Sequence, residues 1–510
     1  MLAFGGLLVA MFIAALDQTI MSTALPTIAG QLGGLGDLPW VVTVYVLGAA
    51  ATTPLWGKAS DLHGRKNLLR AAIVIFIGFS ALSGAAQSIG ELIAFRAAQG
   101  IGAGGVMTLA MATVGDLVSP RERGRYQGYI QLTFLLASLI GPLLGGLFVD
   151  HLSWRWAFYV NVPIGLLALG VLSAYLPAAA HRASARTDYA GAALLAATVV
   201  AVLLIATWGG SRYAWGSAQI LGLIAGAVIL LAAFVRRERR AAEPVLPLRL
   251  FGDRVFVTVS AGLFVATVAL FAAIVFLPVF LQLATGASAT GSGLLMLPLL
   301  LASALSTTVA GLLMARTGRY KMFPVAGLAA MGAGLLLFST LDATSSRVTA
   351  AAFMVVFGIG FGLVTQILVV AIQNAVEPRE IGTATAAANL FRALGGSVGV
   401  AVFGAIFTGG LRHWLPIKLS GHVPSGVSAT GIQTTPGHIH ALPTPVQQAI
   451  AHAVANSLHD VFLVAAVTAL IGCLIVLTLR EQPLRGRAAA APKNQEDESC
   501  QSSPLTPSKA

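Results

Sequence analysis

Apolar residues in this chain come in long unbroken runs, not in the three-and-four spacing of a surface helix or the alternation of a half-buried strand. About fourteen runs reach the roughly 20 residues needed to cross the hydrocarbon core of a bilayer as a helix. They centre near residues 13, 48, 78, 103, 137, 166, 198, 226, 268, 303, 332, 360, 396 and 470. Polar residues gather in the short segments between them. The pattern predicts an all-α membrane protein of fourteen transmembrane helices, and the even count puts both termini on one side.

Composition fits this reading: 57% of the 510 residues are hydrophobic and 10% charged, with a mean hydropathy of +0.84, which excludes a soluble globular chain. Threading the runs through the bilayer places about 24 of the Lys and Arg residues on one face and about 5 on the other, so the rich face is expected to be cytoplasmic. Only Arg96 and Arg392 fall within spans. The net charge of +12 then belongs to loops facing anionic lipid headgroups, not to a nucleic-acid surface. Cys473 and Cys500 sit in the last span and the tail, so neither a disulfide nor a metal site is expected. The chain begins almost directly in its first span, without a basic leader or small-residue cleavage site, which argues against a removed signal peptide. No G-x-x-x-x-G-K-[ST] loop is present to cradle ATP, and no other motif marks an enzyme.

The segment Gly57 to Lys66, GKASDLHGRK, reads as a tight charged loop between the second and third runs, with Gly57 and Gly64 permitting turns and close approach. Asp61 is its one acid, suited to an ion pair or to the positive end of another helix. A weaker copy, GLLMARTGRYK, begins at Gly311; Gly57, Gly64 and Arg65 recur as Gly311, Gly318 and Arg319, while Ala315 stands where Asp61 would be. A second pair, VSPRERG from Val118 and VEPREIG from Val376, repeats at nearly the same offset of about 255 residues. Two six-helix halves follow, residues 1–176 and 255–480, with an inserted transmembrane hairpin and its basic linkers at 177–254 and a disordered tail at 481–510. The hairpin itself, Tyr189 to Val235, is expected to lie peripheral to the pore and to contribute to neither half. The linker Arg236 to Phe251 is expected along the inner membrane surface.

Three charged residues stand out. Asp17 lies well inside the first run, where a carboxylate costs about 2.5–3.5 kcal/mol on insertion scales and is a functional hypothesis by default. An interfacial helix-end aspartate is the bland alternative, but Ile20, Met21, Ala24 and Leu25 continue the run beyond it. Arg96, in RAAQGIGAGG, lies about 8 Å inside the opposite end of span four, and Asp17 comes to the same depth at 1.5 Å per residue. The two charges are level, although snorkelling of Arg96 to the headgroups is also possible. Arg392 lies in span thirteen and needs a partner, a wet cavity or a substrate; the spans of the second half supply no acid. Gln366 and Asn389 join Arg392 as candidate cavity residues.

Span five carries ASLIGPLLGG, where Pro142 kinks the helix and Gly141, Gly145 and Gly146 admit a neighbour. Trp154, Trp156 and Tyr159 suit an outer aromatic belt. The segment Arg412 to His459 reads as a long external loop. Its GHIH, His438 and His440, lacks a carboxylate or thiolate to complete a metal site. Val446, Ile450, Val454 and Leu458 suggest a short interfacial helix within it.

Taken in order, LDQTIMSTALP, GKASDLHGRK, RAAQGIGAGG, GPLLGG and WRWAFYVNVPIG resemble the motif set of the major facilitator superfamily, and within it the fourteen-helix drug:proton antiporters of the EmrB/QacA family. The resemblance implies two parallel six-helix repeats and a proton gradient, with no cofactor, as energy source. It implies proton coupling at Asp17 and Arg96, gating by Gly57, Asp61, Gly64, Arg65 and Lys66, and antiport set by the kink Gly141, Pro142, Gly145 and Gly146. It also places the start of span thirteen, Gly382 and Thr383, beside Asp61. Ala137 replaces the glycine that usually opens the kink motif. Some relatives that export dications carry extra acids in later spans; their absence here favours neutral or monocationic lipophilic substrates. The expected protein is a multidrug exporter of the cell membrane, associated with antibiotic resistance and working as a monomer among anionic lipids. An exporter of an endogenous metabolite or lipid would share these motifs, and a non-transporting receptor on the same fold would not need Asp17.

Overall fold

The computed structural model describes residues 2–32, 38–118, 120–177, 188–210, 212–241, 243–283, 289–342, 345–419 and 443–482. The apolar runs all become helices: α1 (Leu2–Leu32), α2 (Leu38–His63), α3 (Arg65–Ala85), α4 (Ile89–Leu117), α5 (Pro120–His151), α6 (Trp156–Tyr159), α7 (Asn161–Tyr175), α8 (Tyr189–Trp208) and α9 (Ala218–Glu238). After a linker come α10 (Arg254–Leu283), α11 (Ala289–Leu295), α12 (Leu297–Thr317), α13 (Met322–Ser339), α14 (Arg347–Ala375), α15 (Ile381–Lys418) and α16 (Thr444–Leu477). Among the described residues, fourteen helical stretches are long and apolar enough to cross a membrane. A helix satisfies its own backbone groups, which a bilayer cannot do for it. The ends carry local signals: Ser88, Ser217 and Ser346 cap α4, α9 and α14 by accepting from Glu91, Ile220 and Thr349 N–H groups.

Small residues decide how the helices meet. In α4, Gly100 and Gly104 face α2, where an added methyl would strike the backbone of Tyr45 and Ala49. Gly102 faces α3, where it would meet Phe76 N at 2.6 Å and Ala72 O at 2.8 Å. The glycines of GIGAGG thus let one helix seat two neighbours at backbone contact, as small residues do in membranes. The second half repeats the device: Gly358 and Gly362 of α14 face α12, and Gly360 faces α13.

The helices pack in two groups, α1–α7 and α10–α16, which meet through α5 against α12 and through α2 and α4 against α15. Close contacts between the groups toward the ends that carry the basic residues are Gly57 and Asp61 with Gly382 and Thr383, Gly115 with Ile381, and Gly128 with Thr308; further polar contacts, such as Gln131 with Ser303, lie deeper along the helices. The inserted hairpin is less detached than its sequence suggested. Its α9 packs mainly on α8, but α8 packs on both α2 and α15, and Trp208 sits edge-on to Trp40 at 5.4 Å. The hairpin rides on the seam between the groups.

Four expectations need correction. Gly57 to His63 are the last turns of α2 and not a loop; Gly64 alone leaves helical geometry, at φ 85°, and Arg65 and Lys66 begin α3. Charged side chains at a helix end do not break it, whereas a positive-φ glycine does. Gly318, its repeat partner, ends α12 in the same way at φ 70°. The external loop is shorter than 412–459, because α15 runs to Lys418 and α16 starts at Thr444. Ile450, Val454 and Leu458 are buried against protein, so their four-residue spacing marks a packed face and no interfacial helix. Asp460 consequently lies inside the last long helix, exposed. Finally, Trp154 belongs to no aromatic belt: it is 1% exposed and donates to Gln31 Oε1 at 2.9 Å, while Trp156 is exposed as expected. His438, His440 and the tail beyond Gln482 lie outside the described residues.

Candidate functional site

Asp17 and Arg96 are brought together. Asp17 of α1 is fully buried, and its Oδ2 accepts from Arg96 Nη1 of α4 at 2.5 Å. Its Oδ1 accepts from Gln99 Nε2 and from Asn161 Nδ2, both at 2.9 Å. Arg96 also donates to Gln99 Oε1 at 2.9 Å, and its guanidinium lies 4.1 Å over the Tyr45 ring. Asn161 Nδ2 reaches Ser80 Oγ at 3.0 Å, and that hydroxyl donates to Phe158 O. Members of α1, α2, α3, α4 and α7 thus converge on one carboxylate. Burial strips both charges of water, so each depends on the other: removing one partner of such a pair typically costs about 3–5 kcal/mol. The pair is the only ion pair among the described residues in which both side chains are 1% exposed or less. A change of charge at Asp17 would therefore reach α4 and α7 through direct hydrogen bonds, and α2 and α3 at one remove, through Arg96 on the Tyr45 ring and Asn161 on Ser80.

Gln99 and Asn161 were not singled out from the sequence, though both stand in the quoted motifs RAAQG and YVNVPIG. A neutral polar residue in an apolar run is a fainter signal than a charge, because its burial costs less.

The second constellation closes the basic face. Gly382 N and Thr383 N, in the first turn of α15, donate to Asp61 Oδ1 at 3.0 Å and Oδ2 at 2.7 Å, and Thr383 Oγ1 donates to Oδ2 at 2.9 Å. First-turn N–H groups have no intrahelical acceptor, so a carboxylate from α2 caps α15 across the interface and meets the positive end of its dipole. Gly57 makes room, since a methyl there would collide with Ala386 and Gly382. Arg65 donates to Asp61 at 3.4 Å and pairs through Nε with Asp116 at 2.8 Å, tying α3 and the end of α4 to the same point. Lys66 is half-buried.

The linker after α9 grips this seam from both sides. Glu243 pairs with Lys58 of α2 at 2.8 Å, and Arg249 pairs with Glu380 at the start of α15. Val245 and Leu246 between these anchors and Leu250 just after them are buried, and Glu238 accepts from Leu246 N at 2.9 Å. The segment expected along the membrane surface is a packed strap.

The candidate cavity residues lie along the same seam without forming one cluster. Gln366 is buried, its Nε2 3.5 Å from Gln131 Oε1 of the first half, while its own Oε1 finds no partner among the described residues. Asn389 approaches Thr108 Oγ1 at 3.5 Å. Arg392, one turn further along α15, is half-buried and makes no hydrogen bond or ion pair among the described residues. Gln127, on the face of α5 that also carries Gln131, is buried with neither carboxamide atom paired among the described residues. In the kink, Pro142 stays within continuous α5; Gly141 packs on Thr19 of α1, whose hydroxyl reaches Ala137 O at 3.0 Å. Gly145 is buried, and Gly146 faces open space.

Two bundles of membrane helices that meet around a polar seam and hold a buried ion pair make up a multi-pass membrane protein. Residues 7–400 match the family profile of the Major Facilitator Superfamily, and the chain belongs to that family. It is 40% identical over 481 residues to an uncharacterized MFS-type transporter of Mycobacterium tuberculosis (strain H37Rv), covering 94% of this chain and 69% of that one. It is 39% identical over 420 residues to the multidrug transporter protein MdtP of Bacillus subtilis (strain 168), covering 82% and 77%. The fold is shared with the human organic anion transporter MFSD10, at a TM-score of 0.63 and 15% identity over 93% of this chain and 99% of that one. The protein is a transporter and not an enzyme.

Proposed function

We propose that the protein is a proton-coupled multidrug efflux transporter of the cell membrane, with both termini cytoplasmic, exporting lipophilic neutral or monocationic compounds by alternating access. The observation that carries this reading is the fully buried Asp17, held by Arg96, Gln99 and Asn161. An acid kept inside a membrane bundle at such cost serves a charge-transfer task. A conformational change that separates Asp17 from Arg96 removes the charge that this carboxylate is paired with, and so gives the transport cycle a place to take up or release a proton. The closed seam at Asp61 and Gly382 corresponds to the state open on the opposite face. Opening that seam and closing the far side exposes the polar groups along it, Gln366, Asn389 and Arg392, to the cytoplasm. Substrate entry then favours release of the Asp17 proton, and by linkage protonation weakens substrate binding by the same factor.

The substrate class follows from what lines the seam. Gln366, Gln131, Asn389 and Thr108 offer neutral hydrogen-bonding groups, Arg392 is cationic, and Asp17 is already paired. A dication would find no free carboxylate among these described residues of the seam. The test is reconstitution in vesicles with a small panel of neutral, monocationic and dicationic lipophiles, reading substrate-dependent proton movement. Coupled movement with neutral or monocationic members is expected; coupling with dications alone, or none with any member, would refute the reading.

A further inference from the structure

The C-terminal end of α9 carries a feature outside the two constellations described above. Val228, Leu231 and Val235 line a groove of about 580 Å3 whose far end is formed by Arg236, Arg239 and Arg240. The apolar part is open, with Val228 62% and Leu231 49% exposed. Its spacing of three and four residues makes one stripe along the helix, beside the buried stripe Ile220, Ala227 and Phe234 that packs inward.

The charges sort themselves. Arg237 points away and is taken: its Nε donates to both oxygens of Asp188 at 3.0 and 3.1 Å. The Arg237 hydrogen bond holds the Asp188 carboxyl below the usual carboxylate range, so that pair stays formed at neutral pH. Arg236, Arg239 and Arg240 make no side-chain hydrogen bond or ion pair among the described residues. Three unpaired guanidiniums therefore stand where an apolar stripe reaches the basic face. Planar guanidiniums bind phosphate oxygens in forks, and a stripe inside the hydrocarbon layer faces acyl chains.

We propose that this groove is a binding site for one anionic phospholipid, its phosphodiester held by Arg236, Arg239 and Arg240 and its acyl chain laid on Val228, Leu231 and Val235. Charge complementarity selects this occupant. A symmetric contact with a second copy through the same face would set these arginines against their like, and a zwitterionic lipid would leave the site's net charge uncompensated. The site ends at the start of the strap that grips Lys58 and Glu380, but its existence does not depend on the proposed transport reaction.

The test is native mass spectrometry of the purified full chain, delipidated and then titrated with phosphatidylglycerol or phosphatidylcholine. One phosphatidylglycerol should be retained with at least tenfold preference over phosphatidylcholine. The triple variant R236Q/R239Q/R240Q should lose that preference, and Val228→Trp, which fills the groove and leaves the charges, should weaken retention with the arginines intact. Size-exclusion elution matching the parent verifies that both variants fold. Equal retention of the two lipids, unchanged retention in the triple variant, or a dimer that forms through α9 and excludes lipid would overturn the assignment. None of these readouts involves substrate or a proton gradient, so this inference and the transport reading fail separately.

Discussion

Gly57 of α2 and Gly382 of α15 lie backbone to backbone, with Gly382 O 2.7 Å from the point where a Gly57 methyl would be. The contact sets how closely the halves approach on the basic face. Gly57→Val forces the helices apart, and overpacking of this kind costs about 1–3 kcal/mol. Spin labels across the basic face should show the separated population rising about five- to a hundredfold. An unchanged distance distribution would mean the seam does not depend on this approach.

Asp61→Asn tests the trans cap. Asparagine keeps one acceptor but turns a donor toward Thr383, and it loses the charge that meets both the α15 N-terminus and Arg65. Hydrogen bonds to charged groups contribute about 1.5–3 kcal/mol, so the same labels should report a shift toward the separated state of at least tenfold. Asp61→Glu, which keeps the charge on a longer stem, should fall between parent and Asp61→Asn.

The strap makes a smaller contribution. Lys58 is mostly buried but Glu243 is 40% exposed, and exposed pairs contribute about 0–1 kcal/mol. Glu243→Gln should shift the same equilibrium by less than about fivefold, and Glu243→Gln with Arg249→Gln by more than either alone. Raising the salt concentration should erase the double variant's effect and leave that of Asp61→Asn largely intact, since the buried cap is poorly screened.

Much of this arrangement is readable in the sequence. Long apolar runs leave few alternatives to membrane helices, and depth counted at 1.5 Å per residue put Asp17 level with Arg96. The Asp61 cap rested on helix-end electrostatics together with the family resemblance. What stayed hidden depends on which way a residue faces. The spacing of Ile450, Val454 and Leu458 states that they share a face but not whether protein or lipid covers it. Trp154 and Trp156 are near neighbours in sequence, yet one is enclosed and the other exposed. The strap was invisible because a basic, proline-containing segment has no periodicity; its structure comes from Glu243 and Arg249 meeting residues far away in sequence.

Asn161→Leu and Gln99→Leu each remove one of the two neutral donors to Asp17 Oδ1. Leaving part of a buried carboxylate unsatisfied costs about 1–3 kcal/mol or more. Each variant should insert and bind substrate but lose at least tenfold in proton-driven export, with downhill exchange much less affected. Equal loss of both activities would assign these residues to folding alone.

The most direct test of the central claim is Asp17→Asn in reconstituted vesicles, with uphill export measured against an imposed pH gradient beside downhill exchange of a neutral substrate. Asparagine occupies nearly the same volume and can still accept from Asn161 or Gln99, but it carries no titrating proton. Proton-driven accumulation should be abolished while exchange persists. Uphill export at the parent rate, with the same dependence on the pH gradient, would remove Asp17 from the coupling step and contradict the account.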